Sequence, residues 1–380
     1  MIVATLIKML ILLGFAIALA AVLTWMERRQ SAMMQDRIGP ERANLRRPLP
    51  GSRLGRWRFW GLIHPLADAL KLAMKEDFVP PRAHKVLYSL APLITLVPVL
   101  LVFAVIPFGP PVCLDKLRAL APDPSTSTNL HYLQIAHLDI GLLFVFAIAS
   151  LGVYGAALAG WASNSAYSLL GGMRASAQMF SYEITMGMTV MGAFLVYGTL
   201  EPMAIVQKQA TLGQWGIVLQ PLGFILFFVA AVAETKRAPF DLPEGESEIV
   251  GYFTEYSGAR FMMFYLGEFV EIVFAGCMIT TLFLGGWQLP GLQDGGLGAS
   301  PDQLIWAWPH WAVVLVRMLA FMAKVFLLCF LQLAVRWTVP RMRYDQLMKL
   351  GWKGLLPASL INVVVTAVVV LWSQASTVVK

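Results

Sequence analysis

Eight apolar stretches recur along the chain, near residues 2–25, 86–106, 138–160, 176–198, 217–233, 261–284, 309–335 and 355–372. Each is long enough to cross a hydrocarbon core of ~30 Å as a helix. Lipid offers no hydrogen-bond partners to the backbone, so such stretches satisfy their own peptide groups as helices. The pattern predicts an all-α polytopic membrane protein, a single integral membrane domain with about eight transmembrane helices. Hydrophobic residues at 58% and charged residues at 13% exclude an ordinary soluble domain. The first stretch lacks a basic leader and a small-residue cleavage site, and it reads as a retained span.

Short loops rich in Lys and Arg stay on the cytoplasmic side. Segments 26–84, 161–175, 234–260 and 336–354 carry 21 of the 29 basic residues, whereas 107–137, 199–216, 285–308 and 373–380 carry 4. Both termini are therefore expected on the outer side of the membrane. The net charge of +7 is mainly this topological signal, with anionic lipid headgroups as secondary partners. Nearly half of the basic residues lie in one membrane-apposed loop without a nucleic-acid fold, which argues against nucleic acid. Cys113, Cys277 and Cys329 are scattered, no CxxC occurs, and only His310 of the five histidines touches a span. Nothing in this pattern supports an iron–sulfur cluster, a zinc site or a membrane haem.

The first cytoplasmic loop divides in two. Residues 26–60 are dense in Arg, Pro and Gly and read as irregular chain. From Leu62, the residues Leu62, Leu66, Leu70 and Ala73 recur at helical spacing, with Asp68, Lys71 and Lys75 on another face. That run is too short to span and predicts an amphipathic helix lying in the interface. Loop 107–137 is punctuated by prolines, and loop 285–308 is Gly-rich and ends in Trp306 and Trp308, which suit an outer aromatic belt.

The segment ETKRAPFDLPEGESEIVGYFTE packs six carboxylates against the end of the fifth span: Glu234, Asp241, Glu244, Glu246, Glu248 and Glu255. A linker between apolar helices has no structural need for so many acids, which points to function. Further charges lie inside the spans, namely Glu183, Glu268, Glu271, Arg317 and Lys324. Glu268 and Glu271 share one helical face, and counting from the helix ends sets Lys324 level with Glu271. The expectation is a Glu271–Lys324 pair, either a static lock between helices or a titratable element of a proton path. Apart from Asp139 no acid lies in the outer half of a span, so the acidic chain reads as a half-channel that passes protons sideways into a neighbouring protein.

At these residues the chain resembles the quinone-site membrane subunits of respiratory complex I, the H subunits of bacterial NADH:quinone oxidoreductases and their mitochondrial counterpart, NADH dehydrogenase subunit 1. ETKRAPFDLPEGESEIVGYFTEYSG is similar to the family signature, AGWASNSAYSLLGGMRASAQMFSYE to its third loop and fourth helix, GLIHPLADALKLAMKED to its interfacial helix, and PRMRYDQLMKLGWK to the segment before its last helix. The resemblance implies a quinone-cavity wall of Arg28, Arg37, Asp68, Phe240, Asp241, Glu244, Glu246 and Glu248. It implies a buried glutamate path through Glu183, Glu234, Glu255 and Glu268, to which the in-membrane charges add Glu271 and Lys324. It implies no catalytic redox group or metal ligand in this chain, with flavin and iron–sulfur clusters in peripheral partner subunits and other membrane subunits alongside. His64-Pro65 stands where relatives commonly have Gln-Pro, and the 41–59 loop is longer than the family pattern needs.

Physically, two-electron quinone reduction takes up two protons and concentrates negative charge, which arginines such as Arg28 and Arg37 can neutralise while carboxylates relay protons. Three other readings compete. A secondary transporter requires inverted repeats that are not evident, and a structural anchor leaves Glu271 and Lys324 unexplained. The homologous membrane component of a hydrogenase-type complex is disfavoured by the full EGESE pattern.

Overall fold

The computed structural model describes residues 2–41, 59–113, 130–243, 251–293, 296–300 and 303–378. Helices dominate. Among the described residues, seven helical stretches are long and apolar enough to cross a membrane: Thr5–Met34, Lys85–Val105, Gly141–Ala162, Ala166–Tyr197, Gly258–Phe283, His310–Thr338 and Tyr344–Ser373. Their main helices are α1 (Ile2–Met34), α3 (Lys85–Leu101), α4 (Gly141–Ala149) with α5 (Leu151–Ala162), α6 (Ala166–Tyr197), α10 (Gly258–Phe283), α11 (His310–Thr338) and, after α12 (Tyr344–Lys349), α13 (Leu356–Val378).

The fifth expected span is shorter than its apolar run. Gln220 leaves helical geometry and Pro221, which has no N–H to donate, starts a new helix at its first position. The run is thereby divided into α8 (Gly216–Leu219) and α9 (Pro221–Glu234). The 14 residues of α9 rise only ~21 Å. Before them α7 (Pro202–Leu212), opened by Pro202 and closed by Gly213 at φ 65, fills a segment expected to be loop. Short strands occur between spans. In the proline-punctuated loop β1 (Val112–Cys113) pairs antiparallel with β2 (Leu130–His131). In the Gly-rich 285–308 stretch β3 (Leu292–Gln293), β4 (Gly296–Ser300) and β5 (Gln303–Ala307) form an antiparallel sheet.

The expected amphipathic helix is α2 (His64–Met74), with Pro65 in its first turn and no buried residue. Leu66, Leu70 and Met74 are 57%, 56% and 87% exposed, so its apolar stripe is not covered by the rest of the chain. Such a face suits the headgroup boundary.

The core runs along the seam between α1, α3, α6, α9, α10 and α11, where Phe103, Tyr182, Phe227, Phe269 and Phe321 are buried. In membranes helix pairing depends on close van der Waals contact, which small residues permit. Gly152, Gly155, Ala156, Ala159, Gly160 and Ala162 make the buried face of α5. A Cβ on Gly155 would collide with Thr95 Oγ1 and lie 2.9 Å from the Thr95 backbone nitrogen of α3. Gly155→Val is therefore expected to lower the thermal unfolding midpoint of the detergent-purified protein, since overpacking typically costs about 1–3 kcal/mol. Gly187→Ala, where an added Cβ meets nothing within 4 Å, is expected to leave that midpoint unchanged or raise it.

Candidate functional site

At the end of α9 the chain turns sharply beneath the bundle. Gln178 of α6, fully buried, donates from Nε2 to the carbonyls of Ala233 at 2.7 Å and Phe240 at 2.8 Å. The Met342 amide donates to the Pro239 carbonyl at 3.1 Å. Within this tie Lys236 adopts a left-handed backbone at φ 56, a conformation that a side chain other than glycine adopts only where its surroundings enforce it. The turn buries both Lys236 and Arg237, leaving them 1% and 5% exposed.

Arg237 forks between two helices, its guanidinium 3.0 Å from Glu27 of α1 and 3.0 Å from Glu268 of α10. The same group lies 4.0 Å from the ring centre of Phe269 and 5.5 Å from that of Tyr265. A planar, weakly hydrated cation suits this place, because it can satisfy carboxylates at its edge and aromatic rings on its faces. Arg336 of α11 closes the far side of Glu27 at 2.7 Å. Three transmembrane helices and the 235–243 segment thus meet through one charge cluster.

Lys236 sits 4.0 Å from Glu271, one helical turn along α10 from Glu268. Glu234 lies within electrostatic reach of Glu271, Glu183 and Lys236. Two small cavities flank these carboxyls, each about 20 Å³ and each walled by Glu234, Glu271 and Phe274. Among the described residues, five carboxylates (Glu27, Glu183, Glu234, Glu268, Glu271) face three cations (Lys236, Arg237, Arg336). Fully ionised, these described groups would hold two more negative than positive charges, with Lys236, Arg237 and Glu268 buried and the others partly buried, an arrangement that favours sharing the site with protons or water.

The other expected residues fall into separate places. Arg28 pairs with Asp68 at 2.5 Å, joining α1 to α2, with both side chains more than a third exposed. Arg37 lines an open groove of about 520 Å³ with Arg29, Asp36 and Glu41. Asp241 accepts from Arg341 at 2.5 Å. Burial raises the Asp241 carboxyl above the usual range, and the hydrogen bond and charge of Arg341 oppose that rise. Phe240 is buried in the core, its ring 6.0 Å from that of Tyr182. Glu255 is partly buried beneath α3, where its carbonyl accepts from Tyr88 at 2.7 Å. Glu244, Glu246 and Glu248 lie outside the described residues.

The expected Glu271–Lys324 pair does not form. Lys324 Nζ donates to the carbonyls of Leu284, Gly286 and Gln288 at 2.8, 3.0 and 2.6 Å, and lies 4.3 Å from the Trp215 ring centre. It clamps the chain leaving the far end of α10. Depth counted from helix ends misleads because α10 and α11 are staggered. Cys329 faces Ile272 and Gly276, so Glu271 is near the level of Cys329, and Lys324 lies about 7.5 Å farther along α11. Sequence reasoning also passed over Glu27, Lys236, Arg237, Arg336 and Arg341 as site residues. The available signal was chemical: acids buried at Glu268 and Glu271 demand cations, and Lys236-Arg237 directly follow Glu234 in the same segment.

The NADH dehydrogenase family model matches residues 7–367. The chain belongs to the NADH dehydrogenase family. It is 41% identical over 372 residues to an H subunit of NADH-quinone oxidoreductase from Geobacter metallireducens, covering 97% of this chain and 96% of that one. An H subunit of the same oxidoreductase from Geobacter sulfurreducens is 42% identical, covering 96% and 94%. The H subunit from Streptomyces avermitilis is 43% identical over 90% of this chain and 68% of its own length. The match embraces the elements that build the charge cluster, from Glu27 on α1 to Arg336 on α11.

The ion pairs differ in weight. Removing one member of a buried pair strands the other and typically costs about 3–5 kcal/mol, whereas an exposed pair contributes about 0–1 kcal/mol. Arg237→Gln is thus expected to destabilise the purified protein by several kcal/mol, and Arg28→Gln by less than about 1 kcal/mol. Chemical or thermal unfolding in the same detergent measures both, and equal losses would contradict the burial argument.

Proposed function

We propose that this chain is the H-type membrane subunit of a proton-translocating NADH:quinone oxidoreductase, a multi-pass protein of a bacterial inner membrane with its basic end in the cytoplasm and both termini outside. In this reading its charged end meets quinone and the peripheral iron–sulfur subunits, and its buried carboxylates couple quinone chemistry to proton movement in neighbouring membrane subunits. The observation that carries the reading is the set of buried and partly buried charges from Glu27 and Arg336 through Arg237 and Glu268 to Lys236, Glu271 and Glu234. A static lock between helices needs matched charges, and this group has surplus carboxylates.

The cavity wall comprises Arg28, Arg37, Asp68, Asp241, Glu244, Glu246 and Glu248, with Phe240 supporting it from the core side. Arg28 and Asp68 hold α2 against α1, which fixes one edge of a lateral entrance. Arg37 in its open groove is placed to offer positive charge to a reduced quinone. Glu183, Glu234, Glu268 and Glu271 form the proton path, with Glu255 at its loop side. Lys324, held by three carbonyls, fits a structural clamp at the opposite end. Flavin and iron–sulfur clusters belong to partner subunits, which deliver the electrons. Among the described residues no group of three or more His, Cys, Asp or Glu side chains could hold a metal ion.

Two outcomes test the reading in the assembled complex. Glu246→Gln, Glu248→Gln and Arg37→Ala are each expected to lower quinone reduction while electron flow from NADH to an artificial acceptor of the peripheral arm persists. Wild-type quinone reduction in all three assembled variants would refute the cavity assignment. Arg341→Gln removes the group that opposes the burial-driven rise at Asp241, so that carboxyl rises further. If ionised Asp241 is required, the acid limb of the pH–rate profile moves to higher pH, and an unmoved limb removes Asp241 from the mechanism.

A further inference from the structure

Arg237 and Lys236 are adjacent in sequence, both buried, and differently held. Arg237 is fixed by two carboxylates at 3.0 Å and by the Phe269 ring. Lys236 pairs with Glu271 at 4.0 Å and lies 5.9 Å from the Tyr252 ring centre, and it ends in a compact ammonium on a four-carbon stem. Glu234 walls the same cavity as Lys236 and Glu271. One ammonium therefore shares a cavity with two carboxylates on different helices, with Glu183, Glu268 and Arg237 as the surrounding charged groups among the described residues.

The cavities supply the missing conduit. Each is about 20 Å³, more than the roughly 10–15 Å³ that a single water requires. Polar groups line both as a buried water demands: Thr95, Lys236 and the two glutamates in one, Thr235 and the two glutamates in the other.

We propose that Lys236 is a positioning residue, the shared counter-cation of Glu234 and Glu271, which together carry one proton and exchange it through the water-sized cavities. The proposal rests on the proton-path reading above and assigns its innermost step. With Glu234 protonated, the ammonium balances ionised Glu271. The Glu234 O–H bond breaks, a bridging water accepts that proton and gives another to Glu271, and the ammonium turns to the newly ionised Glu234. No electron moves and the net charge of the trio is constant, so the transfer avoids an uncompensated buried charge. The left-handed backbone at Lys236 aims its stem into the bundle.

The test uses the complete oxidoreductase containing this chain, reconstituted in proteoliposomes, with three readouts: NADH to an artificial peripheral-arm acceptor, quinone reduction, and protons translocated per NADH. Lys236→Met is expected to slow proton-coupled quinone reduction by more than about tenfold, the scale of losing a proton-transfer group, while the artificial acceptor rate holds. Lys236→Arg, which keeps the charge, is expected to stay within about threefold of wild type on both quinone and proton readouts. Glu271→Gln should match Lys236→Met, and Lys236→Met with Glu271→Gln should be no worse than either alone, because the residues act as one element. Wild-type proton translocation in Lys236→Met, multiplying losses in the double variant, or equal loss in Lys236→Arg and Lys236→Met would each overturn the assignment. Should Lys236→Met fail to assemble, the double variant decides, since it strands no charge. Assembly with lost translocation supports the proposal, and assembly with full translocation refutes it. Normal Lys236→Met activity beside impaired Glu246→Gln and Arg37→Ala would sink the Lys236 step alone, whereas normal quinone reduction in all of them would sink the functional reading.

Discussion

Placing ionised groups in a low-dielectric bundle is tolerable only when opposite charges and hydrogen bonds surround them, and Arg237 is where that requirement is met. Its guanidinium binds Glu27 and Glu268 together and rests on Phe269, so α1, α10 and the 235–243 segment cannot part without exposing a bare charge. The turn that delivers it is in turn held by Gln178 from α6. The path of the chain after α9 follows from this tie.

Around the fixed centre, charge balance changes over a few ångströms. Glu27 has a cation on each side, Glu268 has Arg237, and farther along α10 Glu271 has Lys236, which lines one cavity with Glu271 and Glu234. The same segment therefore contains a rigid anchor and a region with surplus negative charge. Rigidity positions the helices, and in the proposed reading surplus charge makes proton occupancy variable. A relay needs both, because carboxyls must stay at fixed separations while their protons move.

At the opposite end Lys324 serves a different need. Where α10 ends, the carbonyls of Leu284, Gly286 and Gln288 converge, and one ammonium satisfies all three. An ammonium has three donors and no acceptor, so this geometry uses its full capacity. A charged residue in a span marks either a relay or a backbone clamp, and its partners decide which.

The sequence by itself determined the class, the approximate spans, the amphipathic α2 and the acidic segment after α9, because each is a local property: run length, helical spacing of leucines, or composition. The division at Pro221 was also local, yet the continuous apolar run masked it, and the apparent loop 199–216 concealed α7 behind its Pro202 and Gly213 caps. What only the tertiary structure decided was which charges meet. Lys324 and Glu271 match when counted from their helix ends, but the stagger of α10 against α11 separates them. Lys236 and Arg237 read as ordinary loop cations, but the turn held by Gln178 buries them among the glutamates. Pairing depends on register between helices distant in sequence, and that register is set by side-chain packing that no single segment encodes.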